Sequence, residues 1–465
     1  MVDQNRENYI PDSLNVIERI ERLPLTRFFL IIGIAGAVGF FFDIFDINTI
    51  SSVAPALREI FHMNSLFITL TLSMGFIGMA AGSIISGRLS DLLGRKKLFS
   101  ITLIIAAVGS LLTAISTNVY ELWIFRLITG FGIGGDLPVI WAYMSELIPS
   151  KYRARYFGIA MVIGVLSVPA TTYLSAIFLS ISLYDWRYVF VIGALIALGI
   201  YPMRLIAPES PRWYISMGNE KKAEETMSKI ESKVEKEYGK PLPAFKKGMM
   251  YNLAKVKFPI KELFSKKLRK NTTQTSLLWI FQTWAFYGYG AFLPLILVSK
   301  GFTIVNSVTY AAIGLTGGFL GPVLISLIGD KWEQKYQMMV YAAVAGLFAV
   351  LLGITDNVYD IVIFSFMISL TEQAWATQLY SYVPELFPTN ARSAGGGFAD
   401  ALGRGFNVVG LFVVGVFLAN IPVAQLSFVG ISWFVCVIIL AVIGVNTTKK
   451  VLEDISEKKS SGNII

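Results

Sequence analysis

Four charged residues interrupt long apolar stretches in the first third of the sequence, and their types suit the handling of a proton. Asp43 and Asp46 stand three residues apart in one apolar run, and Arg126 and Asp136 interrupt another. A charge at bilayer depth costs at least about 2.5–3.5 kcal/mol, so such residues are functional by default. A carboxylate that gains and loses an arginine partner also loses and gains a proton. We therefore predict proton coupling through Asp43, Asp46, Asp136 and Arg126.

A structural role is the alternative for these residues. A static ion pair between Arg126 and one aspartate would only orient the two helices that carry them. The depths suit such a pair, because Asp43 lies about 22 Å from the inner end of its helix and Arg126 about 8 Å from the outer end of the other, within a core about 30 Å thick. Asp136 either takes the proton in a second step or caps a helix that breaks at Gly134 and Gly135.

The second half carries its own polar residues within apolar stretches. Arg404 is the best candidate to hold an anion, because a guanidinium offers two parallel donors to a carboxylate or phosphate. Its alternative is an internal ion pair with Asp400, four residues earlier on the same helix. The residues predicted to bind substrate are Gln282, Tyr287, Glu372, Gln373, Arg404 and Asn407.

Membrane helices must position these side chains. Of the 465 residues, 54% are hydrophobic and 15% are charged, which is too apolar for an ordinary soluble domain. About 20 apolar residues cross a bilayer, and twelve stretches qualify: 28–50, 65–86, 98–115, 121–144, 156–180, 188–206, 273–298, 306–328, 337–355, 358–381, 393–419 and 423–445. We predict an all-α integral membrane protein with twelve transmembrane helices in two pseudo-symmetric six-helix bundles.

An internal repeat relates the two bundles. An offset of 239 residues maps Gly75, Gly78, Gly82 and Asp91 onto Gly314, Gly317, Gly321 and Asp330, and Asp43 onto Gln282. Parallel repeats with a site between them near the midplane are a transporter architecture. The predicted parts are an amino-terminal segment (1–27), a first bundle (28–206), a linker with short helices (207–272), a second bundle (273–445) and a tail (446–465).

The distribution of lysine and arginine predicts the orientation. With both termini on one side, that side holds 34 of the 40 cations, as cytoplasmic loops do. We expect a multi-pass protein of the plasma membrane with both termini in the cytoplasm. Topology and anionic lipid headgroups then account for the net charge of +9, so no nucleic-acid partner is needed.

Other chemistries have little support in the sequence. One cysteine, Cys436, and one histidine, His62, provide neither a disulfide framework nor a cluster of metal ligands. No nucleophile, metal or phosphate-loop pattern is present, so we expect no enzymatic activity, no metal and no cofactor. The expected partners are a small-molecule substrate, protons and the lipid bilayer, with the protein acting as a monomer.

Several motifs resemble the major facilitator superfamily over essentially the whole chain. Gly87-x-x-x-Asp91-x-x-Gly94-Arg95-Lys96 is similar to the signature between helices 2 and 3 of that superfamily. "PESPRW" at 208–213, "SELIPSKYR" and "PELFPTNAR" resemble its sugar-porter and metabolite:proton symporter branch. "FFDIFDINTI" and "GFGIGGDLPV" resemble phosphate:proton symporters, although Thr283 stands where those carry a further carboxylate. "SYVPELFPTNARSAGGGFADALGRG" is similar to organic-anion and niacin-type carriers.

The basic loop at 87–97 is expected to join the bundles on the cytoplasmic side. Asp91 would face the amino-terminal end of the eleventh predicted helix (393–419) near 395–397, where unpaired backbone N–H groups favour an anion. Glu146 with Arg153, and Glu385 with Arg392, would form matching latches with Arg95 and Arg88. The predicted gate comprises Asp91, Arg88, Arg95, Glu146, Arg153, Asp330, Glu385 and Arg392.

The sequence thus favours a proton-coupled secondary transporter that rocks one bundle against the other. Its predicted substrate is a small polar metabolite, and an organic anion agrees best with Arg404 and Arg126. Phosphate and a sugar are the alternative substrates. The alternative from another class is a non-transporting receptor or sensor on the same scaffold, with the linker as its partner site.

Overall fold

Long apolar runs form helices because a backbone in lipid must satisfy its own hydrogen bonds. The computed structural model describes residues 16–244, 260–328, 331–387 and 391–447. The first bundle contains helix 1 (Arg27–Ile60), helix 2 (Ser65–Leu93), helix 3 (Arg95–Ala114), helix 4 (Val119–Leu147), helix 5 (Ser150–Ile181) and helix 6 (Trp186–Ile206).

The second bundle repeats this arrangement with more interruptions. It contains helix 7 (Arg269–Gly290 and Leu293–Ser299), helix 8 (Ile304–Leu315 and Gly317–Ile328), helix 9 (Gln334–Ile354), helix 10 (Val358–Glu385), helix 11 (Arg392–Phe412, with a π-helical turn Val413–Phe417) and helix 12 (Pro422–Ile443). Ten described helices are long and apolar enough to span a membrane, and the two segments of helix 7, bent by 52°, form an eleventh such span. Helix 10 completes the twelve, which confirms the predicted fold class.

The predicted loop at 87–97 is wrong in its secondary structure. Helix 2 continues to Leu93 and helix 3 begins at Arg95, so Gly94 alone separates them. Gly94 has φ of +98°, a conformation that side chains other than glycine rarely adopt. Glu209 covers this junction, because its carboxylate accepts hydrogen bonds from the Lys96 backbone N–H at 3.0 and 3.2 Å. Burial there raises the pKa of Glu209.

Replacement of Gly94 by alanine is expected to destabilise this junction. A Cβ at Gly94 would overlap the Glu209 carboxylate as well as meeting the unfavourable φ. Strain of this kind costs roughly 1–3 kcal/mol, so the melting temperature of the purified protein should fall. Gly158→Ala is the matched control, since nothing lies within 4 Å of a Cβ at that helical position. Equal melting temperatures for the two variants would contradict this assignment.

Helix 4 is continuous, so the prediction of a break at Gly134 and Gly135 is wrong. These glycines serve close packing between helices: a Cβ at Gly134 would overlap the backbone of Met79 on helix 2. A Cβ at Gly78 on helix 2 would likewise overlap the backbone of Leu127 on helix 4. Small residues that allow such close approach are typical of membrane helix pairs. Asp136 therefore lies inside a helix and does not cap a broken end.

The linker and amino-terminal segment pack on the first bundle. Asn219 caps the linker helix Glu220–Tyr238, which lies in the segment predicted to contain short helices. Arg19, on the short helix Val16–Glu21, binds Glu224 and Glu231 of the linker helix at 2.5 and 2.6 Å. We call this face of the molecule, where helix 6 ends and helix 7 begins, the linker face.

Among the described residues, the two bundles share a buried hydrophobic cluster towards the face opposite the linker. Ile50, Leu57 and Leu72 of helices 1 and 2 pack in one cluster with Phe292 and Leu293 at the bend of helix 7. A separate cluster lies towards the linker face. Among the described residues, its buried members all come from the first bundle, the amino-terminal segment and the linker. The bundles are thus joined by apolar packing at the opposite face.

Candidate functional site

A buried ion pair links helices 1 and 4. Arg126 Nη1 donates to Asp46 Oδ2 at 2.7 Å, and the two side chains are only 2% and 1% exposed. The Ser110 hydroxyl of helix 3 donates to Asp46 Oδ1 at 2.8 Å. The ion pair expected between Arg126 and one helix 1 aspartate is therefore present, and its partner is Asp46.

A second buried ion pair lies nearer the linker face. Arg204 of helix 6 donates through Nη1 and Nη2 to Asp136 Oδ1 and Oδ2, both at 2.8 Å, and both side chains are fully buried. Thr102 of helix 3 donates to Asp136 Oδ1 at 2.8 Å. Arg204 also donates to the Phe99 carbonyl and lies 3.5 Å above the centre of the Phe99 ring.

Sequence reasoning missed Arg204 as a site residue. The sequence did contain a signal, because Arg204 lies within the apolar stretch 188–206 and a buried cation there requires a carboxylate partner. Asp136, which had no assigned cation, was the carboxylate left to pair with it.

Asp43 lies between the two ion pairs and has no partner of its own. It is fully buried, and neither carboxylate oxygen accepts a hydrogen bond within the described part of the chain. Its electrostatic neighbours are Asp136, Arg204 and Asp46. Gly39, one turn earlier on helix 1, packs so closely on Arg204 that a Cβ there would overlap Nη2. Three carboxylates and two guanidiniums are thus buried together in the first bundle, which we call the charge cluster (Asp43, Asp46, Arg126, Asp136 and Arg204).

Arg404 lies in the second bundle, near its boundary with the first. Its Nε donates to Asp400 at 3.0–3.1 Å, the internal pair that the sequence left as an alternative. The Arg404 side chain remains 27% exposed, and its Nη groups have no acceptor among the described residues. Tyr287 and Tyr380 are its electrostatic neighbours. The Tyr287 ring lies 4.7 Å from that of Phe76 on helix 2, so this region contacts both bundles.

Most of the other residues predicted to bind substrate are buried with unpaired polar atoms. Such atoms occur in Gln282, Glu372 and Asn407 within the described part of the second bundle. Glu372 has Tyr289 as its electrostatic neighbour on helix 7. The side chain of Gln373 instead packs close to Gly318 and Gly321 of helix 8. Gln373 thus lies against helix 8, whereas its neighbour in sequence, Glu372, lies near Tyr289 of helix 7.

The predicted gate is only partly described. Arg95 Nε donates to Glu146 at 3.2 Å, but both residues belong to the first bundle. Arg153 lies 3.9 Å from Glu21 of the amino-terminal helix, and Glu21 also accepts a hydrogen bond from the Ser150 backbone N–H. Glu385 has one buried carboxylate oxygen without a partner. Asp330 and the side chains of Arg88, Asp91 and Arg392 lie outside the described residues.

Comparison with known proteins agrees with this architecture. The family model of the Major Facilitator Superfamily matches residues 36–411. The chain is 33% identical over 437 residues to the Bacillus subtilis protein YyaJ, whose name assigns it to metabolite transport, with 94% of this chain and 96% of that protein covered. It is 28% identical to the niacin transporter NiaP of Acinetobacter baylyi, with 95% and 100% covered.

Solved structures confirm the fold. The inward-open structure of the xylose transporter XylE from E. coli superposes with a TM-score of 0.71 and 19% identity, with 92% of this chain and 99% of that chain covered. The twelve-helix architecture is that of a membrane transporter. The chain belongs to the Major Facilitator Superfamily.

Proposed function

We propose that this protein is a proton-coupled symporter of a small organic anion, with an aromatic monocarboxylate as its substrate class. The observation that carries the proposal is Asp43, a fully buried carboxylate that accepts no hydrogen bond from the described residues and lies beside two complete ion pairs. The proposal therefore has two parts, a proton site in the first bundle and an anion site at the boundary with the second.

The proton site follows from the cost of a buried charge. An ionised carboxylate without a cation or hydrogen-bond donor is so unfavourable in the interior that it takes up a proton instead. With all three carboxylates ionised, the charge cluster has one negative charge more than it has positive charges. Binding of one proton therefore makes the net charge of the cluster zero. Asp43 holds that proton in this proposal, since Asp46 and Asp136 each have an arginine.

The anion site is centred on Arg404. Its Nη groups, which have no acceptor among the described residues, provide parallel donors for a carboxylate. Tyr287, Tyr380 and Phe76 provide aromatic surfaces for a ring. Niacin, the substrate in the name of one relative, is an aromatic carboxylate. Phosphate would use the guanidinium but not the rings, and a sugar would need no cation, so both fit the site less well.

The distribution of cations indicates which face of the protein lies on each side of the membrane. We place the linker face in the cytoplasm, because that side carries 34 of the 40 cations. The apolar packing between the bundles at the opposite face then closes the outer side in this conformation. Rocking of the bundles would break that packing and expose the site outward. We further propose that the protein acts as a monomer in the plasma membrane.

Uptake into proteoliposomes tests the proposal. Labelled nicotinate and benzoate should accumulate when the exterior is acidic and the lumen alkaline, and a protonophore should abolish the accumulation. Phosphate and xylose are the comparison solutes. Accumulation of either in place of the carboxylates would overturn the substrate class. No uptake of any solute under any imposed gradient would favour the receptor alternative.

A further inference from the structure

Arg204 is held by contacts that constrain its two terminal nitrogens unequally. Nη1 faces Asp136 Oδ1, which also accepts the Thr102 hydroxyl hydrogen bond. Nη2 has Asp136 Oδ2 as its hydrogen-bond acceptor, and it lies against Gly39, one helical turn from Asp43. The nitrogen with the fewer constraints is therefore the one that lies against helix 1.

We infer that Arg204 changes partner during the cycle: when Asp43 releases its proton, Nη2 of Arg204 passes from Asp136 Oδ2 to the Asp43 carboxylate. Asp136 would keep Nη1 and the Thr102 hydroxyl, so it would not be left without donors. The released proton goes to the water of the face that is open. This inference rests on the proposed proton coupling at Asp43 and gives Arg204 and Asp136 distinct positioning roles in it.

Within the described part of the chain, no other cation is placed to take over the role of Arg204. Asp43 is surrounded by Asp46 on its own helix, by Asp136 on helix 4 and by Arg204 on helix 6. Arg126 is the remaining cation nearby, and Asp46 and Ser110 already fix that pair. Helix 5 packs along helix 1, but its charged residues, Lys151, Arg153 and Arg155, all lie at its linker-face end. Asp136 therefore competes with Asp43 for one guanidinium.

This competition predicts opposite effects from two variants. Asp136→Asn frees Arg204 to hold Asp43 ionised, so the pH midpoint of substrate uptake should fall by about one unit or more. The double variant Asp136→Asn with Arg204→Gln replaces the ion pair by two amides and leaves Asp43 without a cation, so its midpoint should rise. Thr172→Val, which removes a buried hydroxyl of the same bundle outside the charge cluster, should keep the wild-type midpoint.

The measurement is the initial rate of labelled nicotinate uptake into proteoliposomes across a range of external pH. Midpoints that move in opposite directions support the exchange of partners. An unchanged midpoint in both variants, or a shift in the same direction, would overturn it. The double variant alone decides the matter should Asp136→Asn not fold. Asp43→Asn tests the proposed function separately from this inference. If that variant keeps the wild-type pH dependence of uptake, the proposed function is wrong. If it loses the pH dependence but Asp136→Asn keeps the wild-type midpoint, only this inference is wrong.

Discussion

Asp43→Asn should abolish accumulation of substrate against its gradient while leaving exchange of labelled for unlabelled substrate intact. An amide has nearly the shape of a protonated carboxyl group but cannot release a proton, so the charge cluster stays permanently in its neutral state. The variant can then still change conformation with substrate bound. It cannot return to the other conformation without substrate, because that step requires release of the proton. Counterflow and pH-driven accumulation, measured in the same proteoliposomes, separate the two steps.

Asp46→Asn is the matched control on the same helix. It leaves Arg126 buried without its counter-ion, and loss of one member of a buried pair costs about 3–5 kcal/mol. We expect this variant to lose thermal stability as well as transport, whereas Asp43→Asn keeps its melting temperature because no partner is removed. Accumulation at the wild-type level by Asp43→Asn would show that the proton is carried elsewhere.

Arg404→Ala should raise the KM for an aromatic carboxylate by about 30-fold or more. Loss of one member of a desolvated charge pair costs about 2 kcal/mol or more, and about 1.4 kcal/mol corresponds to a factor of ten. Arg404→Lys keeps the charge but not the two parallel donors, so its KM should lie between those of the wild type and the alanine variant.

Asp400→Asn is the companion variant for the anion site. It removes the carboxylate that holds Nε of Arg404 at 3.0–3.1 Å and thereby an anion that competes with the substrate, so affinity should be kept or increased. Initial rates at several substrate concentrations give KM and kcat separately. An unchanged KM in Arg404→Ala would remove this residue from the site.

The fold was predictable because the length and composition of an apolar stretch largely determine whether it spans a membrane, whatever its tertiary contacts. The pair of Arg126 with a helix 1 aspartate was also predictable, since two opposite charges at one depth have few other partners. Arg204 was missed because its partner Asp136 lies 68 residues away in the chain, and the packing of helix 6 against helices 1 and 3 is what brings the two side chains together.

Several local features depend on contacts with distant parts of the chain, which the sequence does not reveal. The glycines of helix 4 suggested a break, but they serve close packing with helix 2, which the sequence of one helix alone does not reveal. The residues at 87–93 suggested a loop because they include a glycine and charged side chains, yet they continue helix 2 as far as Leu93. Arg153 lies against Glu21 because the amino-terminal helix packs on the bundle, a contact across more than a hundred residues.

The most direct test of proton symport is the movement of protons that accompanies substrate. Proteoliposomes that carry a pH-sensitive dye in the lumen, with no initial pH gradient, receive nicotinate outside, and protein-free liposomes report passive entry of the acid. We predict acidification of the lumen above that background at one proton per substrate, and none above it for Asp43→Asn. Substrate entry through the wild-type protein without additional acidification would contradict the account.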